Sequence, residues 1–140
     1  MPQTAKPILC VDFDGVIHSY KSGWITADNI PDPPVPGAIE WLYRALQFFD
    51  VQIYSSRSKH PAGIQGMRSW LLRHACEIWP DHPRVVNELM AEIKFPIAKP
   101  AAFLTIDDRA ICFTGDWDAL NPVDLLRFKP WYYQHKEAAK

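Results

Sequence analysis

The sequence predicts an α/β fold, a three-layer α/β/α sandwich in which a parallel sheet carries helices on both faces. Short apolar segments rich in β-forming residues alternate with stretches whose apolar residues recur every three or four positions. Several of the apolar segments end in polar side chains that can do chemistry. The length of 140 residues fits a single domain over 1–140, and 48% apolar residues suffice to build its core.

The elements follow one another along the chain. Residues 8–11 are an apolar run that stops at a polar loop, as a buried strand does. Residues 16–36 are rich in proline and glycine, so we expect a flap over the site there. A helix is expected over residues 37–49, and residues 135–140 are expected to fray. The other predicted elements are a strand at 51–54, a helix at about 61–76, a short helix at 85–91, a short strand at 93–98, a buried strand at 103–106, a short strand at 110–113 and a helical turn at 122–128.

Charge and cysteine content narrow the class of protein. Lys and Arg number 15 against 16 Asp and Glu, which predicts no strong long-range attraction to nucleic acid or anionic membranes. The three cysteines are widely spaced, so we expect reduced thiols and a cytoplasmic location. We expect no signal peptide and no membrane association, because no apolar run approaches the roughly 20 residues of a membrane span.

Polar side chains follow three of the predicted strands. In parallel sheets ligands bind outside the carboxyl ends of the strands, so these distant segments are expected to meet at one site. Taken singly, the Asp-x-Asp-Gly segment, the Ser-Ser pair and the Asp-Asp pair are also common in solvated turns or helix caps. The interpretation depends on their occurring together. The side chains concerned are Asp12 and Asp14, Ser55 and Ser56, and Asp107 and Asp108.

These residues predict phosphoryl-transfer chemistry that depends on Mg²⁺. Crowded carboxylates repel one another, and a hard divalent cation relieves that repulsion. Magnesium usually takes one or two carboxylates together with a substrate phosphate, so a phosphorylated ligand is expected as well. Asp12 can attack phosphorus, while Asp14 can protonate the leaving group and later activate water. Ser55, the amides after it and a lysine can hold the phosphoryl oxygens.

In this order the motifs resemble those of the haloacid dehalogenase-like (HAD) superfamily of aspartate-nucleophile phosphatases. Val-Asp-Phe-Asp-Gly-Val is similar to the first motif of that superfamily, Ile-Tyr-Ser-Ser-Arg to the second and Leu-Thr-Ile-Asp-Asp-Arg to the fourth. Pro-Pro-Val-Pro-Gly-Ala and the stretch from Lys-Pro-Ala-Ala-Phe onward look like small phage-type and bacterial members. The resemblance covers roughly residues 7–115 and implies a Rossmann-like, HAD-like sheet without a cap domain.

The resemblance implies an Mg²⁺-dependent phosphatase, that is, a phosphoric monoester hydrolase. It makes Asp12 the nucleophile and a metal ligand. It makes Asp14 the general acid and base, which also binds the metal through its backbone carbonyl. Asp107 is then a direct metal ligand and Asp108 a second one.

The resemblance also assigns the phosphate-binding groups. Ser55 takes the phosphate-binding position of the second motif, with Ser56 beside it. Lys99 corresponds to the lysine of the third motif, but its spacing to Asp107 is short, so Lys94 is an alternative.

The substrate is left open by the sequence. About forty residues separate Asp14 from Ser55, which leaves room for a flap but not for a folded cap domain. An open site suits a phosphorylated macromolecular end, whereas a partner subunit in a homo-oligomer could close the site over a small molecule. The flap residues that either contact substrate or only pack the flap are His18, Tyr20, Lys21 and Trp24.

Other classes of protein compete with this interpretation. A response-regulator receiver domain uses similar groups, but its acidic pair comes first and its phosphorylated aspartate ends a later strand. A non-catalytic or regulatory phosphate-binding module could keep a HAD-like fold, although the intact Asp12, Asp14 and Asp107 favour an enzyme. Specificity for polynucleotide ends is a further alternative within the same mechanism.

Overall fold

The structure, a computed structural model, describes residues 5–133 and is mixed α/β, as predicted. The predicted tail at 135–140 lies outside the described residues. The elements are β1 (Ile8–Val11), α1 (Ala38–Ala45), β2 (Asp50–Ile53), α2 (Pro61–Ile78), α3 (Pro83–Glu92), β3 (Leu104–Ile106) and α4 (Pro122–Leu125), with a 3₁₀ turn at Trp117–Ala119.

The three strands form one parallel sheet in the order β2-β1-β3. The central strand β1 pairs through Leu9 with Val51 of β2 and with Leu104 of β3. Parallel neighbours need long crossover connections, and α1 supplies the first of these. The chain then crosses through α2 and α3 to reach β3 on the other side of β1. The carboxyl ends of all three strands therefore lie along one edge of the sheet.

The core lies against one face of the sheet. Leu9 and Val11 point to the same face because side chains alternate along a strand, and the register places Val51 and Ile53 beside them. These four side chains are at most 2% exposed and form one cluster with apolar residues of α1, α2 and α3. The described residues thus show a sheet with helices packed into a single core, and a second helical layer is not confirmed.

The helix starts follow from local backbone chemistry. Pro61 and Pro83 occupy the first turns of α2 and α3, where a missing N–H costs nothing. Gly37 precedes α1 with a φ of 84°, a left-handed conformation that glycine adopts without strain. The helix α1 is shorter than predicted, because the chain turns after Ala45 to enter β2.

Two of the predicted strands are wrong. Within residues 93–98 only Lys94 makes a bridge, to Gln52, and Pro96 cannot donate a backbone hydrogen bond to extend it. Residues 110–113 form no strand, and their larger apolar side chains are about half exposed, 52% for Ile111 and 50% for Phe113. Among residues 5–133, β3 therefore pairs only with β1. The strand predicted at 103–106 is present, but the prediction that it is buried is wrong: Leu104 is 51% exposed, because β3 forms the edge of the sheet.

Residues 16–36, which we call the flap segment, contain no helix. Isolated bridges join His18 to Pro34 and Thr26 to Asn29, so the segment folds back on itself. Among residues 5–133, no helix combines the length and the apolar character that crossing a membrane requires.

Candidate functional site

A pocket of about 160 Å³ opens at the carboxyl ends of the strands. It collects Asp12 from the end of β1, Ser55 from the end of β2 and Asp107 from the end of β3. The sheet topology thus brings three distant segments together at one point. The complete lining is Cys10, Asp12, Tyr54, Ser55, Ser56, Lys99, Thr105 and Asp107.

Three carboxylates crowd together at this pocket. Asp12, Asp107 and Asp108 each offer an oxygen, and these oxygens lie within 4.8 Å of one another. Burial, a hydrogen bond with the Asp108 carboxyl group and the charge of Asp107 raise the pKa of Asp12 to about 8. Oxygen donors at this spacing fit one hard divalent cation such as Mg²⁺, which would offset the repulsion.

The loop after β1 approaches the acidic residues so closely that only glycine fits at position 15. Gly15 has a φ of 81°, and a Cβ atom there would overlap Asp108 Oδ2 and lie 2.7 Å from the Tyr132 ring. Trp131 Nε1 donates a hydrogen bond to the Gly15 carbonyl at 2.8 Å. Arg109 Nη2 donates to the Tyr132 hydroxyl at 3.1 Å. Residues 131–132 therefore pack against the loop that follows β1 and stabilise its position.

The loop after β2 presents a hydroxyl group to the pocket. The Arg57 amide donates to Ser55 Oγ at 2.9 Å, and the Ser55 amide donates to Ser58 Oγ at 2.9 Å. Because Ser55 Oγ accepts that bond, its own proton is left to donate to a phosphoryl oxygen. The Arg57 amide, one of the amides expected to bind phosphate, is thus engaged within the loop, and the hydroxyls of Ser55 and Ser56 are the better candidates.

The two candidate lysines lie in different places. Lys99 lines the pocket together with Asp12 and Ser55. Lys94 Nζ instead lies 3.0 Å from Asp50 Oδ2, at the first residue of β2 and so at the opposite end of the strand. Of the two, only Lys99 is placed to meet a phosphoryl group in this pocket.

Asp14 lies apart from the acidic residues. Its carboxylate accepts hydrogen bonds from Arg57 Nε at 2.9 and 3.1 Å, and lies 2.9 Å from His18 Nδ1. Its side chain is 12% exposed, and Asp14 is not among the pocket-lining residues. Two aspartates that look alike in the sequence therefore have different neighbours.

The four candidate residues of the flap segment also differ in burial and in their neighbours. His18 is fully buried, so of the four flap candidates it is placed to hold the loop rather than to meet substrate. Tyr20 has a φ of 61°, an uncommon backbone conformation for a bulky side chain. Trp24 is 47% exposed, and its ring lies 4.7 Å from the guanidinium carbon of Arg57. Lys21 is exposed.

Sequence reasoning missed Arg57 as a partner of Asp14. Arg57 follows the Ser-Ser pair directly, but nothing in the local pattern shows that it is fully buried or that it reaches a residue 43 positions away. Its one sequence signal is its place in the motif Ile-Tyr-Ser-Ser-Arg.

No protein-family model matches the chain, and neither a curated protein nor a solved structure is detectably similar to it. Support for a function therefore comes from the geometry and chemistry of the site.

Proposed function

We propose that this protein is an Mg²⁺-dependent phosphatase in which Asp12 takes up the phosphoryl group. The observation that carries the proposal is the meeting of Asp12, Asp107, Ser55 and Lys99 in one pocket at the carboxyl edge of a parallel sheet. The fold that goes with this proposal is a capless, three-layer, HAD-like sandwich. In it, residues 16–36 form a flap beside the site.

Asp12 and Asp14 divide the chemistry. The Asp12 carboxylate attacks phosphorus, the bond to the leaving oxygen breaks, and the proton of Asp14 passes to that oxygen. Water then attacks the aspartyl-phosphate while Asp14 takes up its proton. Inorganic phosphate leaves, and both aspartates return to their starting states.

Other residues of the pocket bind the phosphoryl oxygens. The Ser55 hydroxyl keeps a free proton for this purpose, and Ser56 lies beside it in the pocket lining. The Lys99 ammonium group balances the negative charge that develops in the transition state. Both kinds of contact act on the transferring group rather than on the leaving group, so they serve any phosphate monoester.

The acidic residues provide the metal site. Asp12, Asp107 and Asp108 would supply side-chain oxygens. The resemblance to the HAD superfamily adds the backbone carbonyl of Asp14 as a further ligand. Bound there, Mg²⁺ supplies positive charge that keeps Asp12 ionised and attracts the phosphoryl oxygens.

The size of the pocket supports a phosphoryl subsite rather than a whole-ligand cavity. Its volume of about 160 Å³ is below the range of roughly 300–1,000 Å³ in which drug-sized ligands are enclosed. The leaving group of the substrate therefore lies outside, as in a phosphorylated macromolecular end. Closure over a small molecule by a second subunit is the alternative.

The test is phosphate release from an aryl phosphate with Mg²⁺. We expect turnover by the wild-type protein, and Asp12→Asn should lower it by at least about 1,000-fold. Asp81→Asn, the same change at an exposed aspartate outside the pocket lining, should leave the rate unchanged. Equal rates for wild type and Asp12→Asn would overturn the proposal. Phosphate binding without turnover would favour the non-catalytic module.

A further inference from the structure

The carboxylate of Asp14 is fixed by two buried donors. Oδ1 lies 2.9 Å from His18 Nδ1 and 3.1 Å from Arg57 Nε, while Oδ2 lies 2.9 Å from Arg57 Nε. The side chains of His18 and Arg57 are both 0% exposed. Hydrogen bonds to a charged group are stronger than neutral ones, and a low local dielectric strengthens them further. Bonds from two directions also prevent the carboxylate from rotating.

The hydrogen-bond pattern of His18 determines which ring nitrogen carries the proton. The Asp32 amide donates to Nε2 at 3.1 Å, so Nε2 bears no proton. Nδ1 then carries the ring proton and donates it toward Asp14. The ring is held in place by stacking on Phe13 at 5.6 Å and by the edge contact with Trp70 at 5.7 Å. His18 thus presents one donor in one direction.

Arg57 joins the same carboxylate to the flap segment. Its Nη1 donates to the carbonyls of Thr26 and Ala27 at 2.7 and 2.9 Å, and its guanidinium lies against Trp24. Nη2 is buried and has no hydrogen-bond partner among the described residues. The guanidinium plane is therefore set by the flap on one side and by Asp14 on the other.

We propose that His18 and Arg57 are positioning residues for Asp14, holding its carboxylate in the orientation from which it delivers and retrieves a proton. This inference rests on the proposed phosphatase function. When the bond between phosphorus and the leaving oxygen breaks, Asp14 gives up its proton to that oxygen. Before this step Oδ1 of the protonated group can still accept from His18 Nδ1 and Arg57 Nε. The carboxylate that remains binds both donors more strongly, and it then accepts a proton from the attacking water.

The leaving group separates a positioning role from a merely structural one. A nitrophenolate leaves without being protonated, whereas an alkoxide needs a proton from Asp14 as it departs. Loss of the Asp14 orientation should therefore lower kcat/KM, which reports phosphoryl transfer to Asp12, far more for an alkyl phosphate than for p-nitrophenyl phosphate. Hydrolysis of the aspartyl-phosphate is common to both substrates, so it does not enter this comparison. A general structural defect would slow both substrates in the same proportion.

A matched pair of variants at one position provides the test. In His18→Asn the side-chain amide can replace Nδ1 as the donor to Asp14, whereas the longer side chain of His18→Gln places its amide near Nε2. We expect His18→Gln to lower kcat/KM for the alkyl phosphate by about 100-fold but for p-nitrophenyl phosphate by less than about 5-fold. His18→Asn should recover most of the loss. Arg57→Gln should show the same selective loss as His18→Gln.

Equal losses of kcat/KM for both substrates, or equal behaviour of His18→Asn and His18→Gln, would overturn the positioning role while leaving Asp12-dependent hydrolysis intact. If the wild-type protein shows no Asp12-dependent hydrolysis, the proposed function and this inference fall together. Nitrogen NMR of the wild-type protein gives a readout that needs no variant to fold. We expect the His18 proton on Nδ1, and a proton found only on Nε2 would contradict the inference.

Discussion

The two aspartates of the first loop stand two positions apart in the sequence but in opposite surroundings. Asp12 faces the carboxyl groups of Asp107 and Asp108, which together with burial raise its pKa to about 8. Asp14 faces the cationic Arg57 and the donor of His18. Such different neighbours favour the different roles that we propose for the two carboxyl groups. In the proposed function one short loop supplies a nucleophile whose side chain binds the metal and a proton carrier whose carboxylate is turned toward Arg57 and His18.

Among changes that leave the nucleophile Asp12 in place, removal of a carboxylate from the cluster of Asp12, Asp107 and Asp108 should have the largest effect. Asp107→Asn takes away one carboxylate of the cluster, and the metal contributes several kcal/mol to such reactions. We therefore expect kcat/KM on an aryl phosphate to fall by about 100-fold. Asp118→Asn, at an exposed aspartate outside the cluster, is the control and should match the wild type. An unchanged rate for Asp107→Asn would mean that the acidic cluster does not take part.

The close packing of the loop at Gly15 should make a substitution there lower the stability of the protein. Gly15→Ala places a Cβ against Asp108 and Tyr132 at a φ of 81°, whereas Gly23→Ala, at a φ of 72°, meets nothing within 4 Å. We expect Gly15→Ala to lower the free energy of unfolding by about 3 kcal/mol and Gly23→Ala by about 1 kcal/mol. Urea unfolding of the two variants measures the difference. Similar losses would show that the close approach at Gly15 is not needed.

Substitution of the two candidate lysines should affect the activity of the protein to different extents. Lys99 lines the pocket and Lys94 pairs with Asp50, so only the first is placed to meet the phosphoryl group. We expect Lys99→Gln to lower kcat/KM by about 10-fold, a loss of about 1.4 kcal/mol of transition-state stabilisation. Lys94→Gln should stay within about 2-fold of the wild type. The reverse order would place the phosphate at the opposite end of β2, beside Asp50.

The pH dependence of metal binding should give the smallest effect. Asp12 has a pKa of about 8 in the folded protein against 3.8 for the free side chain, so the folded state holds a proton that the unfolded state releases. Without metal, stability should therefore fall as the pH rises from about 4 through about 8. Mg²⁺ replaces that proton, so the rise in Tm that it causes should be larger at about pH 9 than at about pH 6. Asp12→Asn should remove this difference, and an equal rise in Tm at both pH values in the wild type would argue against the metal site.

The sequence alone was enough to predict the edge of the sheet at which the site lies. Short apolar runs ending in Asp12, Ser55 and Asp107 predicted strands, and the structure places those three residues in one pocket. The prediction succeeds because parallel strands align their carboxyl ends whatever the connections contain. The same kind of pattern failed at residues 110–113, because a strand needs a neighbour and the described residues supply none for that segment.

The different surroundings of Asp12 and Asp14 could not be predicted. They depend on Arg57, which is 43 positions from Asp14 in the chain, and on His18, which lies in a segment rich in proline and glycine. Such a segment looks like an exposed flap, yet the His18 ring is fully buried against Phe13 and Trp70. Burial of this kind is set by tertiary packing and leaves no periodic signal in the sequence.

The most direct measurement is the chemical fate of Asp12 during turnover. Rapid acid quenching of the protein with an aryl phosphate and Mg²⁺, followed by mass spectrometry of peptides, locates any bound phosphoryl group. We expect that group on Asp12, and in larger amount in Asp14→Asn, because water then lacks its base. Turnover with no phosphoryl group on Asp12 in either protein, or with the group on another residue, would contradict the division of roles between the two aspartates.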